Sequence, residues 1–235
     1  MEPLYESTIT CICCEMDFTT SRVRPSFKKA ISMDSDFCGH YRDEINPDYY
    51  VVRVCPQCGF ASTENGFEQL SDQQKRQYFE QVGSSWKMQS YGGKRTLQDA
   101  LVCYKLALIS AQATKAPDRN IAAILHHIAW LYRYQQDTEQ EKRFLGFALQ
   151  SYIKVFELEA ASLSNAKLMF IIGDLNRRIG NDNEAVRWFS RIVNDKKIMD
   201  AAMIQAARAQ WQQLRLDYEE RRLQGMADRG LEEAD

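Results

Sequence analysis

The sequence lacks a strong charge of either sign and lacks any long apolar run. Its 30 Lys and Arg nearly balance 32 Asp and Glu, giving a formal net charge of −2. No general attraction to nucleic acid or to an anionic membrane follows from such a balance. No stretch approaches the roughly 20 apolar residues that span a bilayer, and the acidic opening lacks the apolar core of a secretory signal. We therefore predict a cytoplasmic protein that does not associate with membranes.

What the chain does contain is an ordinary globular composition together with seven cysteines. Apolar residues make up 45% and charged residues 26% of 235 residues, enough for one large domain or two small ones. Seven is an odd number, and the cysteines are spaced in a way that suits metal binding better than disulfides. In a reducing cytosol the thiols would stay free to bind a metal ion.

Four of the cysteines form two Cys-x-x-Cys pairs, Cys11 with Cys14 and Cys55 with Cys58. Two such pairs can place four thiolates at the corners of a tetrahedron, which is the arrangement of a structural zinc site. Gly59 follows the second pair and can adopt the positive φ of a zinc knuckle. Redox chemistry at Cys-x-x-Cys and an iron–sulfur cluster remain as alternatives, and the extra thiol of Cys13 is expected to serve in packing.

The composition of the chain changes near residues 83–95, where paired glycines and serines interrupt the pattern. We predict an α+β fold that is mainly α. A small β-rich, zinc-ribbon-like domain over residues 1–93 precedes an α-helical, tetratricopeptide-like solenoid over 94–223, and residues 224–235 form a flexible tail. Within the first domain, extended segments are expected at 22–24, 27–31 and 49–54, followed by a helix over about 72–82.

The second domain is predicted to contain six helices, several of which share a short pattern. Their expected ranges are 96–113, 118–135, 139–160, 165–179, 183–193 and 199–223. Three helices repeat a small residue followed four positions later by an aromatic one, as Ala100 and Tyr104, Ala148 and Tyr152, and Ala185 and Phe189. These offsets place both residues on one helical face, as in the 34-residue tetratricopeptide repeat. The repeats are spaced by 48 and 37 residues, so a generic helical bundle is the alternative.

Both cysteine pairs stand in a longer motif that resembles a known bacterial family. The motif reads Cys11-x-x-Cys14-x-x-x-Phe18, Asp34-x-Asp36-Phe37-Cys38, Asn46-Pro47, Tyr49-Tyr50 and Cys55-Pro56-x-Cys58-Gly59-Phe60-Ala61. It resembles the family catalogued as domain of unknown function 2225, over residues from about 8 to 215. The resemblance implies a cytosolic bacterial protein without an assigned activity. Glu15 stands where a knuckle usually has glycine, so the first knuckle is expected to be less regular than the second.

We interpret the protein as a non-catalytic adaptor that binds a protein or peptide through its helical repeats. Aromatic and basic side chains of two helices could hold an extended peptide with acidic groups. These candidate partner-binding residues are His126, Trp130, Arg133, Tyr134, Lys167, Phe170, Asp174, Arg177 and Arg178. The alternative is that the aromatic residues belong to the core and the arginines to a solvated edge.

Two other functions remain as alternatives. A nucleic-acid-binding zinc ribbon would use the local basic patch formed by Arg22, Arg24, Lys28 and Lys29. A thiol- or metal-dependent enzyme would use Cys38 and His40, which share one face of an extended segment. We regard both as weaker. The zinc domain is negatively charged, and four thiolates around one zinc ion add to that charge, which disfavours phosphate binding. Four thiolates also leave the zinc ion no open coordination position for catalysis, and a Cys38 nucleophile would need an oxyanion donor in addition to a base.

Overall fold

A computed structural model describes residues 2–42, 45–64, 66, 69–159 and 165–232. Over these residues the chain forms short antiparallel strand pairs followed by α-helices, so the predicted mainly α, α+β class is confirmed. The chain divides into two compact units, Met1–Val155 and Phe156–Asp235. The predicted boundary at residue 93 therefore lies inside the first unit. None of the helices in the described ranges has the length and apolar character needed to cross a membrane.

The first unit begins with three two-stranded antiparallel sheets. Strand β1 (Leu4–Thr10) pairs with β2 (Asp17–Val23), β3 (Ser32–Met33) with β4 (Gly39–His40), and β5 (Val52–Val54) with β6 (Ala61–Thr63). Strands β1, β3 and β6 were not predicted. The prediction of extended structure over 27–31 was wrong, because Phe27 ends the 3-10 turn Pro25–Phe27, Lys28 is helical in its backbone angles, and the next strand begins only at Ser32. The predicted strand over 49–54 shrinks to β5 because Pro47–Tyr50 is a second 3-10 turn, capped by Asn46.

Four helices complete the first unit: α1 (Asp72–Gln81), α2 (Leu97–Ala113), α3 (Asp118–Tyr134) and α4 (Thr138–Glu159), the last of which ends beyond it. The sequence patterns Ser71-x-x-Gln74 and Thr96-x-x-Asp99 predict helix starts, and both form capping boxes, at α1 and α2. The pattern Thr138-x-x-Glu141 predicts Thr138 as the start signal of α4, but this helix is capped by Asp137, whose Oδ1 accepts the backbone N–H of Gln140 at 3.0 Å.

The core of the first unit joins strands β5 and β6 to helices α2 and α3. Its fully buried members include Val52, Ala100, Tyr104, Ile128 and Leu131. The segment predicted as a domain boundary is tied into this core by Arg95, which is only 5% exposed. Its Nη1 donates to the carbonyl oxygens of Tyr49 and Val52, each at 2.8 Å. The cysteine-bearing strands and the first helices consequently form one compact unit.

The second unit contains α5 (Ala166–Ile179), α6 (Asp182–Asn194) and α7 (Ala201–Glu232), where α5 packs on α6 and α6 on α7. A glycine that follows the basic last turn of Arg177 and Arg178 predicts a helix end, and Gly180 does end α5, with φ +94°. Fully buried Ala185, Phe189 and Ile192 line the inner face of α6. Helix α7 continues past the predicted end at residue 223 through Glu232, and residues 233–235 lie outside the described part of the chain.

Candidate metal centre

The sulfur atoms of Cys11, Cys14, Cys55 and Cys58 all lie within 4.8 Å of one another. Cys11 Sγ is 3.7 Å from Cys58 Sγ, and Cys14 Sγ is 3.6 Å from Cys55 Sγ. A tetrahedral zinc ion with Zn–S bonds of about 2.3 Å would require sulfur atoms roughly 3.8 Å apart. All four thiols are free of disulfides. The donor set therefore fits a tetrahedral metal ion of the kind that thiolates bind.

The first Cys-x-x-Cys turn joins β1 to β2. Its backbone closes through two hydrogen bonds, from Cys11 N–H to Met16 O at 3.0 Å and from Glu15 N–H to Cys11 O at 2.8 Å. The N–H of Cys13 points at Cys11 Sγ, 3.4 Å away. Because β1 and β2 pair continuously up to Thr10 and Asp17, the hairpin holds the first two thiols at its tip.

The second turn joins β5 to β6 and repeats the same backbone pattern. Cys55 N–H donates to Phe60 O at 2.9 Å, and Gly59 N–H donates to Cys55 O at 2.9 Å. Glu15 and Gly59 occupy equivalent positions, with φ values of +63° and +74°. The expectation that the first knuckle is less regular was wrong, because Glu15 adopts the left-handed conformation although it is not glycine.

Side chains from outside the turns fix the second knuckle. Tyr78 of α1 is fully buried and donates its hydroxyl to Cys58 O at 2.9 Å. Trp86 donates Nε1–H to Pro56 O at 2.9 Å, and its ring covers Gly59 so closely that a Cβ atom there would overlap it. Sequence reasoning missed both residues. For Tyr78 the available signal was the capping box of α1, which places a helix after β6 and the second cysteine pair.

The protein environment raises the pKa values of Cys11, Cys55 and Cys58 and so disfavours their charged form when no cation is present. Burial raises the pKa of Cys55 to about 11, although the N–H groups of Cys58 and Gln57 bond to its sulfur and act in the opposite direction. A hydrogen bond with the Cys58 thiol, together with burial, raises the pKa of Cys11. A metal ion that binds here must therefore displace thiol protons.

A family model described as an uncharacterized protein conserved in bacteria, DUF2225, matches residues 4–214. The chain belongs to this DUF2225 family. No curated protein and no solved structure matches the chain. The matched range includes both cysteine pairs and nearly all of the described helices, so the family assignment applies to the metal centre and the helical part together.

In this DUF2225 protein, the four candidate partner-binding residues of α3 do not form an open surface. His126 and Trp130 are 3% and 8% exposed, and Arg133 is largely covered. His126, Trp130 and Arg133 each contact the carboxylate of Asp36, which comes from the segment between β3 and β4. Tyr134 donates its hydroxyl to Asp48 Oδ2 at 2.7 Å. The chain itself therefore supplies the acidic groups on this face.

The five candidates on α5 differ in their exposure. Lys167 is exposed, whereas Phe170 is buried and its ring lies 5.7 Å from that of Phe189. Asp174 has no exposed surface and accepts hydrogen bonds from Arg177 and Arg178, at 3.1 and 2.9 Å. Phe170 and Asp174 thus have structural roles within the second unit, while the arginines and Lys167 reach its surface.

Cys38 and His40 do not form a nucleophile and base pair. Cys38 is fully buried beside the Tyr134 hydroxyl, and burial raises the pKa of its thiol to about 12. His40 is half exposed, and its Nε2 lies 2.8 Å from Asp34 Oδ1. Because the thiol is held protonated and the imidazole is engaged elsewhere, this geometry does not support the enzyme alternative.

The basic residues of the nucleic-acid alternative are partly engaged within the protein. Arg22 forms an ion pair with Glu64, and Arg53 lies 3.9 Å from the same carboxylate oxygen. Arg24 donates Nε–H to Glu2 O at 3.0 Å and stacks over the Tyr5 ring. Lys28 and Lys29 remain exposed. Two exposed lysines are a weak basis for binding phosphates.

Proposed function

We propose that this protein is a non-catalytic cytoplasmic adaptor, in which a structural zinc ion organises the N-terminal fold and the helical part binds a protein or peptide. The observation that carries the zinc proposal is the close approach of four thiols from two separate hairpins. Cys11, Cys14, Cys55 and Cys58 would be the ligands. A zinc ion held there would neutralise the thiolate charge and cross-link the β1–β2 and β5–β6 hairpins.

Catalysis at this centre is disfavoured by the number of thiols. Four protein ligands complete a tetrahedral coordination shell, whereas a catalytic zinc site keeps one position for water or substrate. Amide groups of the two turns point at the sulfurs and would stabilise their negative charge. The protein's own residues therefore favour holding an ion in place over exchanging its ligands.

Adaptor activity is the remaining part of the proposal and is supported by the helical half of the chain. The small and aromatic residues at four-residue spacing are typical of tetratricopeptide-like modules, whose use is the binding of peptides. One face of α3, called the α3 face below, carries Trp130 and Arg133. Both side chains donate hydrogen bonds to the carboxylate of Asp36, so together they form a carboxylate receptor. An acidic peptide segment is the partner chemistry that such a receptor favours.

Two measurements test the two parts of the proposal. Elemental analysis of the purified full-length chain should find zinc at one equivalent per chain, and a chain that carries iron or no metal would contradict the zinc assignment. A partner cross-linked in the native host, then purified, should bind the chain directly in calorimetry. If no purified partner binds to zinc-loaded protein, the adaptor assignment fails while the zinc site stands.

A further inference from the structure

The α3 face binds the carboxylate of Asp36 through hydrogen bonds to both of its oxygen atoms. Asp36 has no exposed surface. Its Oδ2 accepts hydrogen bonds from Arg133 Nη2 at 2.7 Å and from Trp130 Nε1 at 3.1 Å, and lies 3.2 Å from His126 Nε2. Its Oδ1 accepts Arg133 Nη1 at 2.9 Å. A bidentate arginine with an indole donor recognises a carboxylate by both charge and geometry.

The segment that presents this carboxylate is a tight turn, closed by the N–H of Phe37, which donates to Asp34 O at 3.0 Å. We call residues 34–38 the acidic loop. Its first carboxylate, Asp34 Oδ2, lies 2.6 Å from Arg133 Nη1, so one arginine receives two acidic groups spaced two residues apart. Phe37, which follows Asp36, has φ +69°, a left-handed conformation that is rare for a bulky residue. Such outliers persist where surrounding contacts hold them in place, and they cluster at clamps and switch regions.

If the acidic loop left the α3 face, Arg133 and Asp34 would each keep another charged or hydrogen-bonding partner. Arg133 Nε also donates to Glu141 Oε1 at 2.7 Å, and Asp34 also bonds to His40. Removing one member of a buried ion pair is costly mainly because it leaves the other charge unpaired. Here the receptor arginine would keep Glu141 and the loop would keep a histidine, so separation is less costly than at an isolated pair.

We propose that the α3 face is a binding site for an acidic partner peptide with two carboxylates spaced as in Asp34 and Asp36, and that the acidic loop is its internal competitor. This inference rests on the proposed adaptor function and names the chemistry of its partner. A tethered competitor acts at an effective concentration on the order of millimolar, so only an abundant or tightly bound peptide displaces it. The contact would keep the adaptor closed until such a partner arrives.

A labelled synthetic peptide with the sequence of residues 32–40, carrying serine in place of cysteine, tests the site directly. The double variant Asp34→Asn/Asp36→Asn removes the internal competitor's charge and should bind the peptide at least about tenfold more tightly than the unaltered chain. Adding Arg133→Gln to the double variant should abolish peptide binding. Asp72→Asn, on the exposed surface of α1, should bind the peptide with the same affinity as the unaltered chain. Equal or absent binding by a folded double variant overturns the proposal.

Hydrogen exchange in the unaltered chain keeps the test decisive if the double variant does not fold. The indole Nε1–H of Trp130 donates to Asp36 Oδ2, so it loses this partner when the acidic loop leaves α3. A loop that opens locally should leave this proton at least about tenfold less protected against exchange than the amides of the buried interior of α3. If the indole proton is as protected as the amides of Ile128 and Leu131, the acidic loop is a permanent structural clasp and the inference is wrong. The adaptor function would survive that result if a purified partner still binds.

Discussion

Gly173 and Phe189 pack so closely that a Cβ atom at Gly173 would lie 2.7 Å from Phe189 Cε1. Phe189 is fully buried in α6, and Gly173 lies on the face of α5 that receives it. The absence of a side chain at one position thus makes room for the aromatic ring at the other. This pair sets the separation of α5 and α6 in the second unit.

Gly173→Ala should destabilise the second unit by about 1–3 kcal/mol, because an added methyl group overpacks a filled site. Gly146→Ala is the matched control, since Gly146 also lies within a helix but has nothing within 4 Å of an added Cβ. That change should stabilise α4 by about 0.5–1 kcal/mol. Urea denaturation followed by circular dichroism measures both. Similar effects of the two substitutions would show that Gly173 is not needed for packing.

Glu15 and Gly59, the residues with positive φ in the two Cys-x-x-Cys turns, give a second pair of substitutions to compare. Gly59→Ala should cost about 2–4 kcal/mol, since it combines the left-handed penalty with overlap on Trp86. Glu15→Gly should be close to neutral, because glycine adopts φ near +63° without that penalty, while the substitution removes the largely exposed ion pair of Glu15 with Lys75, which contributes little. Thermal unfolding of the zinc-loaded variants compares them. A Gly59→Ala protein as stable as the unaltered chain would mean that Trp86 moves aside freely.

The sequence was most informative where local rules dominate. Capping boxes at Ser71 and Thr96 predicted helix starts because their side chains bond backbone groups only three residues away. Gly180 marked a helix end for the same local reason. The paired cysteines were equally readable, because a metal site needs fixed ligand types at short spacing.

Features that depend on distant residues were not predictable from local patterns. Arg95 binds the carbonyl oxygens of Tyr49 and Val52 from the far side of the predicted boundary, a contact that no local sequence pattern indicates. Asp34 and Asp36 are by residue type typical of turns and backbone caps, yet Asp36 is bound by residues at least ninety positions away. Tetratricopeptide-like organisation of the helices stays a prediction.

Loss of one ligand should remove the metal and weaken helices as well as strands. In Cys55→Ala we expect zinc content to fall well below one equivalent and part of the helical signal of α2 to be lost, because β5 and β6 share a core with α2. Cys103→Ala is the control: Cys103 is also fully buried but lies on α2 outside the four-thiol cluster. It should keep its zinc. Elemental analysis with circular dichroism distinguishes the two, and full zinc content in Cys55→Ala would contradict the assignment.

Zinc affinity should fall steeply as the pH is lowered. Burial raises the pKa of Cys55 to about 11, so the metal-free protein holds this thiol proton at neutral pH, and the pKa of Cys11 is raised as well. Binding then releases protons, and lower pH favours the proton-bound, metal-free state. The sign follows from mass action: more protons in solution oppose their release.

If all four thiols lose a proton on binding, the apparent affinity changes by up to about four powers of ten per pH unit. Competition with a zinc chelator of known pH dependence measures this slope between about pH 6 and pH 8. This range lies below the pKa of an unperturbed thiol, about 8.5, so thiols there carry their protons before the metal binds. The Cys103→Ala protein should give the same slope, because Cys103 contributes no proton. A slope near zero would mean that the thiols are already ionised before the metal arrives, which the burial of Cys11 and Cys55 argues against.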